Sequence, residues 1–138
     1  MDPLELYESF SARFGQDRAA RFMLVLHRQS VAMKRLYYWQ EQMLADFSGV
    51  SAVSITTLEE ALDSFRICHV HGLALMPDKV PVRYGTMKPA SPEALDHADR
   101  TYPFANLTVG GPCWVEETTH REVDFCQGCR AAYANEHA

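Results

Sequence analysis

The sequence predicts an α+β fold in which an N-terminal helical hairpin packs on a pair of β-hairpins with short helices. Helical periodicity fills residues 1–50, and short β-branched runs bounded by turn residues follow from residue 57 onward. Two pairs of metal-ligating residue types, in the segments 68–71 and 126–129, bracket most of the β-rich part. We therefore expect a single domain over 1–138, with the helical hairpin in 1–50 and an α+β part in 57–138 that carries both pairs.

Two helices form the predicted hairpin. The first is capped by Asp2, has Pro3 at its first helical position and stops at Gly15. The second is longer, over 17–48, because neither Gly nor Pro interrupts the chain before Gly49. Its seam alternates steps of four and three residues: Phe22, Leu26, Gln29, Met33, Leu36, Gln40, Met43 and Phe47. The two glutamines favour packing inside the domain. A short homodimer contact through the 17–48 helix is the alternative.

Shorter helices and one connection are predicted beyond the hairpin. Residues 48–56 predict a connection that ends in an edge strand. Thr57 is placed to cap a helix that leads to Cys68, with Glu60 completing the capping box. A capped helix is expected at 91–99, and a helical turn or two at 130–134.

The β-hairpins are predicted on either side of the 91–99 helix. The first joins strands at 73–75 and 80–84 through the turn-rich segment 76–79, and Pro81 indicates that its strand lies at a sheet edge. The second runs through 113–125 and leads directly to Cys126.

The chemistry of the chain is concentrated in two knuckles, defined as Cys68–His71 and Cys126–Cys129, which supply three thiols and one imidazole. Two ligands separated by two residues can reach one ion from a tight turn, and Gly128 suits the sharp backbone of such a turn. Three cysteines with one histidine are an established ligand set for closed structural zinc. The sequence thus predicts a structural zinc ion bound by Cys68, His71, Cys126 and Cys129.

Other interpretations of these side chains stay open. The cysteines can be ordinary buried apolar residues, or Cys126 and Cys129 can form a redox dithiol. His69 competes with His71 as the nitrogen ligand, and the two-residue spacing of the other knuckle favours His71. Cys113, which follows a Gly-Gly-Pro turn, is a buried apolar residue, a substitute metal ligand or a reactive nucleophile.

Three consecutive aromatic residues, Tyr37, Tyr38 and Trp39, lie beside the predicted helical seam. Because three consecutive helical residues span most of the helix circumference, these rings cannot all face one core. At least one ring is expected at the core margin or in a surface contact. The cluster is therefore both a candidate core edge and a candidate anchor for a protein partner.

Composition restricts the partners and the location. With 13 Lys and Arg against 18 Asp and Glu, the net charge is −5, so no basic face is predicted and nucleic acid is an unfavourable partner. The N-terminal segment is acidic and lacks a secretory pattern, and no apolar run has the length of a membrane span. We expect a cytoplasmic protein, where a reducing environment favours metal binding over disulfides.

Sequence motifs of common enzymes are missing. There is no Gly-rich phosphate loop, no His-Glu-x-x-His and no Gly-x-Ser-x-Gly, and the histidines of the first knuckle are not followed by the Glu that a zinc deaminase requires. Catalysis is therefore less favoured than a binding role. The alternative is a metal- or thiol-dependent enzyme that uses Cys113 or an open zinc position.

The second half of the chain resembles small bacterial zinc-ribbon-like proteins, most of which lack an assigned activity. The resemblance is carried by Cys68 with His71, the segments 80–85, 102–104 and 110–113, and Cys126 with Cys129. It implies a metal-binding role for the four knuckle residues and no catalytic residue. Small acidic proteins of this kind include immunity proteins that neutralise a bacterial toxin. The expected function is thus a non-catalytic, zinc-stabilised protein-interaction module whose partner is another protein, such as a toxin.

Overall fold

The structure is a computed structural model that describes residues 1–29, 35–85, 90–112 and 114–138. The chain divides into two compact units, Met1–His69 and Val70–Ala138. The first unit thus extends beyond the 1–50 segment assigned to the helical part, because the 58–64 helix and Phe65 belong to its core.

The described residues form six α-helices and three β-strands. The helices are α1 (Pro3–Phe14), α2 (Gln16–Arg28), α3 (Tyr38–Val50), α4 (Leu58–Ser64), α5 (Pro92–Thr101) and α6 (Gln127–Glu136). The strands are β1 (Met76–Arg83), β2 (Val109–Gly110) and β3 (His120–Phe125). The mixed helical and β composition predicted from the sequence is confirmed.

The first helix begins and ends where the sequence predicts. Asp2 accepts a hydrogen bond from the backbone N–H of Glu5 at 2.9 Å, and Pro3 occupies the first turn. Gly15 ends the helix with a φ of 89°, a conformation that a residue with a side chain rarely adopts. The helix turns Leu6, Tyr7 and Phe10 into the core of the first unit.

That core is organised around Phe10, which is completely buried. Its ring centroid lies 4.7 Å from that of Phe22, 5.3 Å from that of Phe47 and 5.2 Å from that of Phe65. Aromatic pairs at these separations add to the stabilisation from burial alone. One ring from α1 therefore joins α2, α3 and the C-terminal cap of α4.

The prediction of one helix over 17–48 is wrong, because α2 ends at Arg28 and α3 begins at Tyr38. The two glutamines of the predicted seam stabilise the break. The side chain of Gln40 accepts from the Tyr37 N–H at 2.8 Å and donates to the side chain of Gln29 at 3.2 Å. Among the seam residues, Met33 lies outside the described residues, and the described apolar ones are buried in this unit's own core. The described seam residues therefore belong to separate elements rather than to one continuous helix.

No strand forms over the described residues 48–56, contrary to the prediction. Instead α3 continues to Val50, and the hydroxyl of Ser51 donates to the carbonyl of Phe47 at 2.8 Å. The β-branched residues of the connection fill the core, with Ile55 buried and Val53 packed against it. Thr57 then caps α4 as predicted, accepting from the Glu60 N–H at 3.1 Å.

The second unit contains a mixed three-stranded sheet in the order β2-β1-β3. Strand β1 pairs antiparallel with β3, from Met76 opposite Phe125 to Pro81 opposite His120. It pairs parallel with the short β2, where Val82 faces Val109. The predicted pair of β-hairpins is therefore wrong: residues 76–79 continue a strand, and its antiparallel partner is remote in sequence.

Strand β1 contains two prolines, and their position in the backbone alternation explains why they do not disrupt its pairing with β3. Val82 donates to the carbonyl of Thr119 at 2.9 Å, so the alternation of the backbone points the amides of even-numbered residues towards β3. Pro77 and Pro81 lack an N–H and face the other side, where β2 pairs only with Val82 and Arg83. The strand containing Pro81 is thus central in sheet order, although Pro81 itself lies beyond the reach of β2.

Two helices complete the second unit. Helix α5 has the predicted cap, since Ser91 accepts from the Ala94 N–H at 3.1 Å, and it ends before Tyr102. Helix α6 begins directly after Cys126 and is longer than the predicted turn at 130–134. Strand β3 therefore leads straight into the second knuckle, as the sequence predicts.

Candidate metal centre

The second knuckle is the junction between β3 and α6. Cys126 is the N-cap of α6 and its sulfur accepts from the backbone N–H of Cys129 at 3.4 Å. A cysteine at the N-cap and another three residues later place both sulfurs at the N-terminal end of the helix, where unpaired amides and the helix dipole favour negative charge. This is a suitable electrostatic setting for two thiolates.

The structure brings four donor side chains of the two knuckles together. One ligand atom from each of Cys68, His71, Cys126 and Cys129 lies within 4.8 Å of the others. The three cysteines are completely buried, and none of them is in a disulfide. These four residues could hold a metal ion.

The nitrogen that faces the sulfurs is Nδ1 of His71. It lies 3.8 Å from the sulfur of Cys126 and 3.4 Å from the sulfur of Cys129. A tetrahedral zinc ion with Zn–S bonds of about 2.3 Å and a Zn–N bond of about 2.0 Å separates sulfur and nitrogen ligands by roughly 3.5 Å. The donor set and the two distances fit zinc, and a soft sulfur-rich set disfavours magnesium and calcium.

A segment remote from both knuckles supports the second one. The N–H of Phe104 donates to the sulfur of Cys129 at 3.4 Å, and the carbonyl of Phe104 accepts from the N–H of Cys126 at 2.9 Å. Phe104 is itself buried. An N–H that donates to a thiolate offsets part of its negative charge, so this backbone contributes to the site without being a ligand.

Arg130, the residue after Cys129, holds the Phe104 segment in place. Its guanidinium donates to the carbonyls of Ala105 at 2.8 Å and Asn106 at 3.0 Å. It also donates to Asp78 of β1 at 2.8 Å and lies 3.7 Å from the centroid of the Phe125 ring. The hydrogen bond from Arg130 lowers the pKa of Asp78. Sequence reasoning gave neither Phe104 nor Arg130 a role at this site, because neither side chain is a metal ligand.

Gly128 lies in helix α6, so the prediction that this glycine serves a sharp backbone turn is wrong. A Cβ at Gly128 would lie 2.8 Å from Cγ and 3.0 Å from Cβ of His71. Such separations are below ordinary contact distances. The absence of a side chain at this position is what admits the imidazole of His71.

The other candidate residues that the structure describes are not members of this group. The ring of His69 is 6.1 Å from that of Tyr7 between centroids, and His69 is not one of the four clustered residues. Cys113 lies outside the described residues. Tyr37 and Tyr38 are 41% and 76% exposed, whereas the Trp39 ring packs edge-on against Phe22 with centroids 6.4 Å apart. The expected division of the three aromatic rings between core and surface is confirmed.

A second group of titratable side chains joins α5 to α6. The carboxylate of Glu136 accepts from the hydroxyl of Tyr102 and contacts Nε2 of His97. Both contacts lower the pKa of Glu136, the Tyr102 hydrogen bond most strongly. The same hydrogen bond raises the pKa of Tyr102 to about 12. The group links the C-terminal end of α6 to the segment that carries Phe104.

Within the described part of the chain, no helix combines the length and the apolar character that crossing a membrane requires. Comparisons of the chain with protein-family models, with curated proteins and with solved structures gave no match. What the protein does is therefore inferred from the geometry of the four-residue group and from the surface of each unit.

Proposed function

We propose that this protein is a non-catalytic protein-interaction module stabilised by one structural zinc ion. The observation that carries the proposal is the convergence of Cys68, His71, Cys126 and Cys129, with their ligand atoms within 4.8 Å and the three cysteines completely buried. Four protein ligands complete a tetrahedral shell, which is typical of structural sites, whereas catalytic zinc keeps one position for water or substrate. The resemblance to zinc-ribbon-like proteins remains part of this proposal.

The metal is tested by elemental analysis and by cobalt substitution of the full chain. We expect one zinc per chain and intense tetrahedral bands in the cobalt form that do not change when azide or cyanide is added. Bands that shift with those anions would indicate an open position and favour the enzyme alternative. A protein purified and refolded with zinc that retains none would refute the proposal.

The interaction role is supported by aromatic side chains at the surface. Tyr37 and Tyr38 are exposed at the start of α3, and Tyr and Trp are the residues most enriched at protein interfaces. The acidic balance of the chain, with a net charge of −5, complements a basic protein surface and would speed association with it. The partner we propose is another protein, with a bacterial toxin neutralised by this chain as the specific case.

The test uses the protein encoded by the neighbouring gene and isothermal titration with this chain. We expect stoichiometric binding without turnover, weakened at least tenfold by Tyr37→Ala with Tyr38→Ala. Trp114→Ala is the matched control, because Trp114 is 67% exposed but lies in the other unit. Trp39 is left unchanged, since its removal would disturb the core through Phe22. If this chain does not bind the protein from the neighbouring gene, the toxin hypothesis is wrong. If the double variant binds with the affinity of the wild-type chain, Tyr37 and Tyr38 are not part of the interface.

A further inference from the structure

We infer that Gly128 is a positioning residue that selects histidine, bound through Nδ1, as the nitrogen ligand of the site. The inference rests on the proposed zinc site. It concerns a residue that is not itself a ligand and explains why His71 can approach the second knuckle.

The geometric basis is the packing of His71 against the first turn of α6. A Cβ built on Gly128 would lie 2.8, 3.0 and 3.1 Å from Cγ, Cβ and Cδ2 of His71. Those atoms form the base of the His71 side chain, which cannot move far while Nδ1 stays 3.4 Å from the sulfur of Cys129 and 3.8 Å from that of Cys126. A methyl group at position 128 must therefore displace the imidazole, the helix or both.

The steric requirement opposes the intrinsic preference of a helix. Alanine is favoured over glycine inside helices, so Gly128→Ala should stabilise α6 if nothing faced that position. Backbone conformation gives no reason for glycine here, since Gly128 lies in regular helix. The close approach of His71 therefore supplies the steric reason for a residue without a side chain at position 128.

The displaced ligand has a definite spectroscopic consequence. With His71 moved away, three thiolates remain and the fourth position opens to water. The cobalt form of Gly128→Ala should then respond to azide, whereas that of the wild-type chain should not. Zinc affinity, measured by competition with a chelator, should fall roughly 10- to 100-fold, as it does when residues that orient a ligand are changed.

A double-mutant cycle with His71→Ala isolates the contact between the two residues. In the His71→Ala chain no imidazole faces position 128, so adding Gly128→Ala should leave zinc affinity and anion response unchanged. Gly49→Ala is the matched control for a methyl group in a helix, because a Cβ at Gly49 meets nothing within 4 Å. It should leave the cobalt spectrum as in the wild-type chain.

The possible outcomes distinguish a failure of this inference from a failure of the proposed function. Wild-type protein that binds no zinc overturns both. If the wild-type protein binds zinc and Gly128→Ala keeps the same affinity and anion-insensitive bands, the inference alone is overturned. The inference is also overturned if Gly128→Ala lowers zinc affinity equally in the wild-type and His71→Ala backgrounds. Should Gly128→Ala not fold, the double variant decides: it supports the inference if it folds and binds zinc as His71→Ala does, and overturns it if it fails.

Discussion

The backbone N–H of Phe104 donates to the sulfur of Cys129 at 3.4 Å, although the two residues are 25 positions apart. The same residue accepts from the N–H of Cys126 at 2.9 Å, so one residue braces both ends of the second knuckle. The side chain of Arg130 fixes the next two carbonyls of that segment. The surroundings of the Cys129 sulfur therefore depend on an arginine that is not one of the four clustered residues.

Arg130→Ala should weaken the site without changing a ligand. The variant leaves the carbonyls of Ala105 and Asn106 without their guanidinium donor, and we expect the unfolding free energy of the second unit to fall by about 2 kcal/mol. Zinc transfer to a chelator should be faster than from the wild-type chain. Both are measured on the zinc form, by denaturant unfolding and by stopped-flow absorbance.

Arg100→Ala is the control for Arg130→Ala. Arg100 pairs with Asp96 one helical turn away, and its side chain is 79% exposed, against 23% for Arg130. A surface pair of this kind contributes little to stability. If the two variants release zinc at the same rate, Arg130 does not support the site.

Removal of zinc should destabilise the second unit strongly. A ligand present at about 1,000 times its dissociation constant stabilises the folded state by about 4 kcal/mol, which corresponds to roughly 15 °C or more for a unit of this size. We expect chelation to lower the thermal transition by that order, and Cys126→Ser to do the same without chelator. Differential scanning calorimetry with and without chelator makes the measurement, and an unmoved transition would show that no structural metal is present.

The sequence was most informative where local chemistry determines the structure. Asp2, Thr57 and Ser91 each accept a backbone hydrogen bond at the start of a helix, as their positions predict. The residue spacing of the knuckles likewise singled out the four side chains that the structure brings together. Each cap and each knuckle, taken singly, involves two residues only three positions apart.

Features that depend on distant partners could not be predicted. Residues 76–79 have turn chemistry, but the register of β1 with β3 makes them a strand. Gln29 and Gln40 fit a helical seam, yet their mutual hydrogen bond stabilises a break between helices. Phe104 supports the second knuckle through its backbone N–H, and the Arg130 side chain donates to a backbone carbonyl; such contacts with the backbone have no sequence signature.

Gln40→Ala should destabilise the first unit, because Gln40 is completely buried and links the start of α3 to Gln29. The variant leaves the Tyr37 N–H and the side-chain amide oxygen of Gln29 without this partner, and it leaves a small cavity. Losses of this kind cost about 1–3 kcal/mol. Gln42→Ala is the control, since Gln42 lies on the exposed face of the same helix. Urea unfolding of both variants should separate them by at least 1 kcal/mol, and equal midpoints would show that the buried amide contributes nothing.

The Tyr102–Glu136 hydrogen bond should make the second unit sensitive to alkaline pH. The pKa of Tyr102 in the folded chain is raised to about 12, above the ordinary tyrosine value of about 10. A raised folded-state pKa means that the stabilisation is complete below about pH 10 and is lost as the pH rises towards 12. We expect the Tyr102 resonance of a ¹³C-tyrosine sample, assigned with Tyr102→Phe, to titrate near 12 in the wild-type chain and closer to 10 in Glu136→Gln. A wild-type titration near 10 would show that Glu136 does not hold this proton.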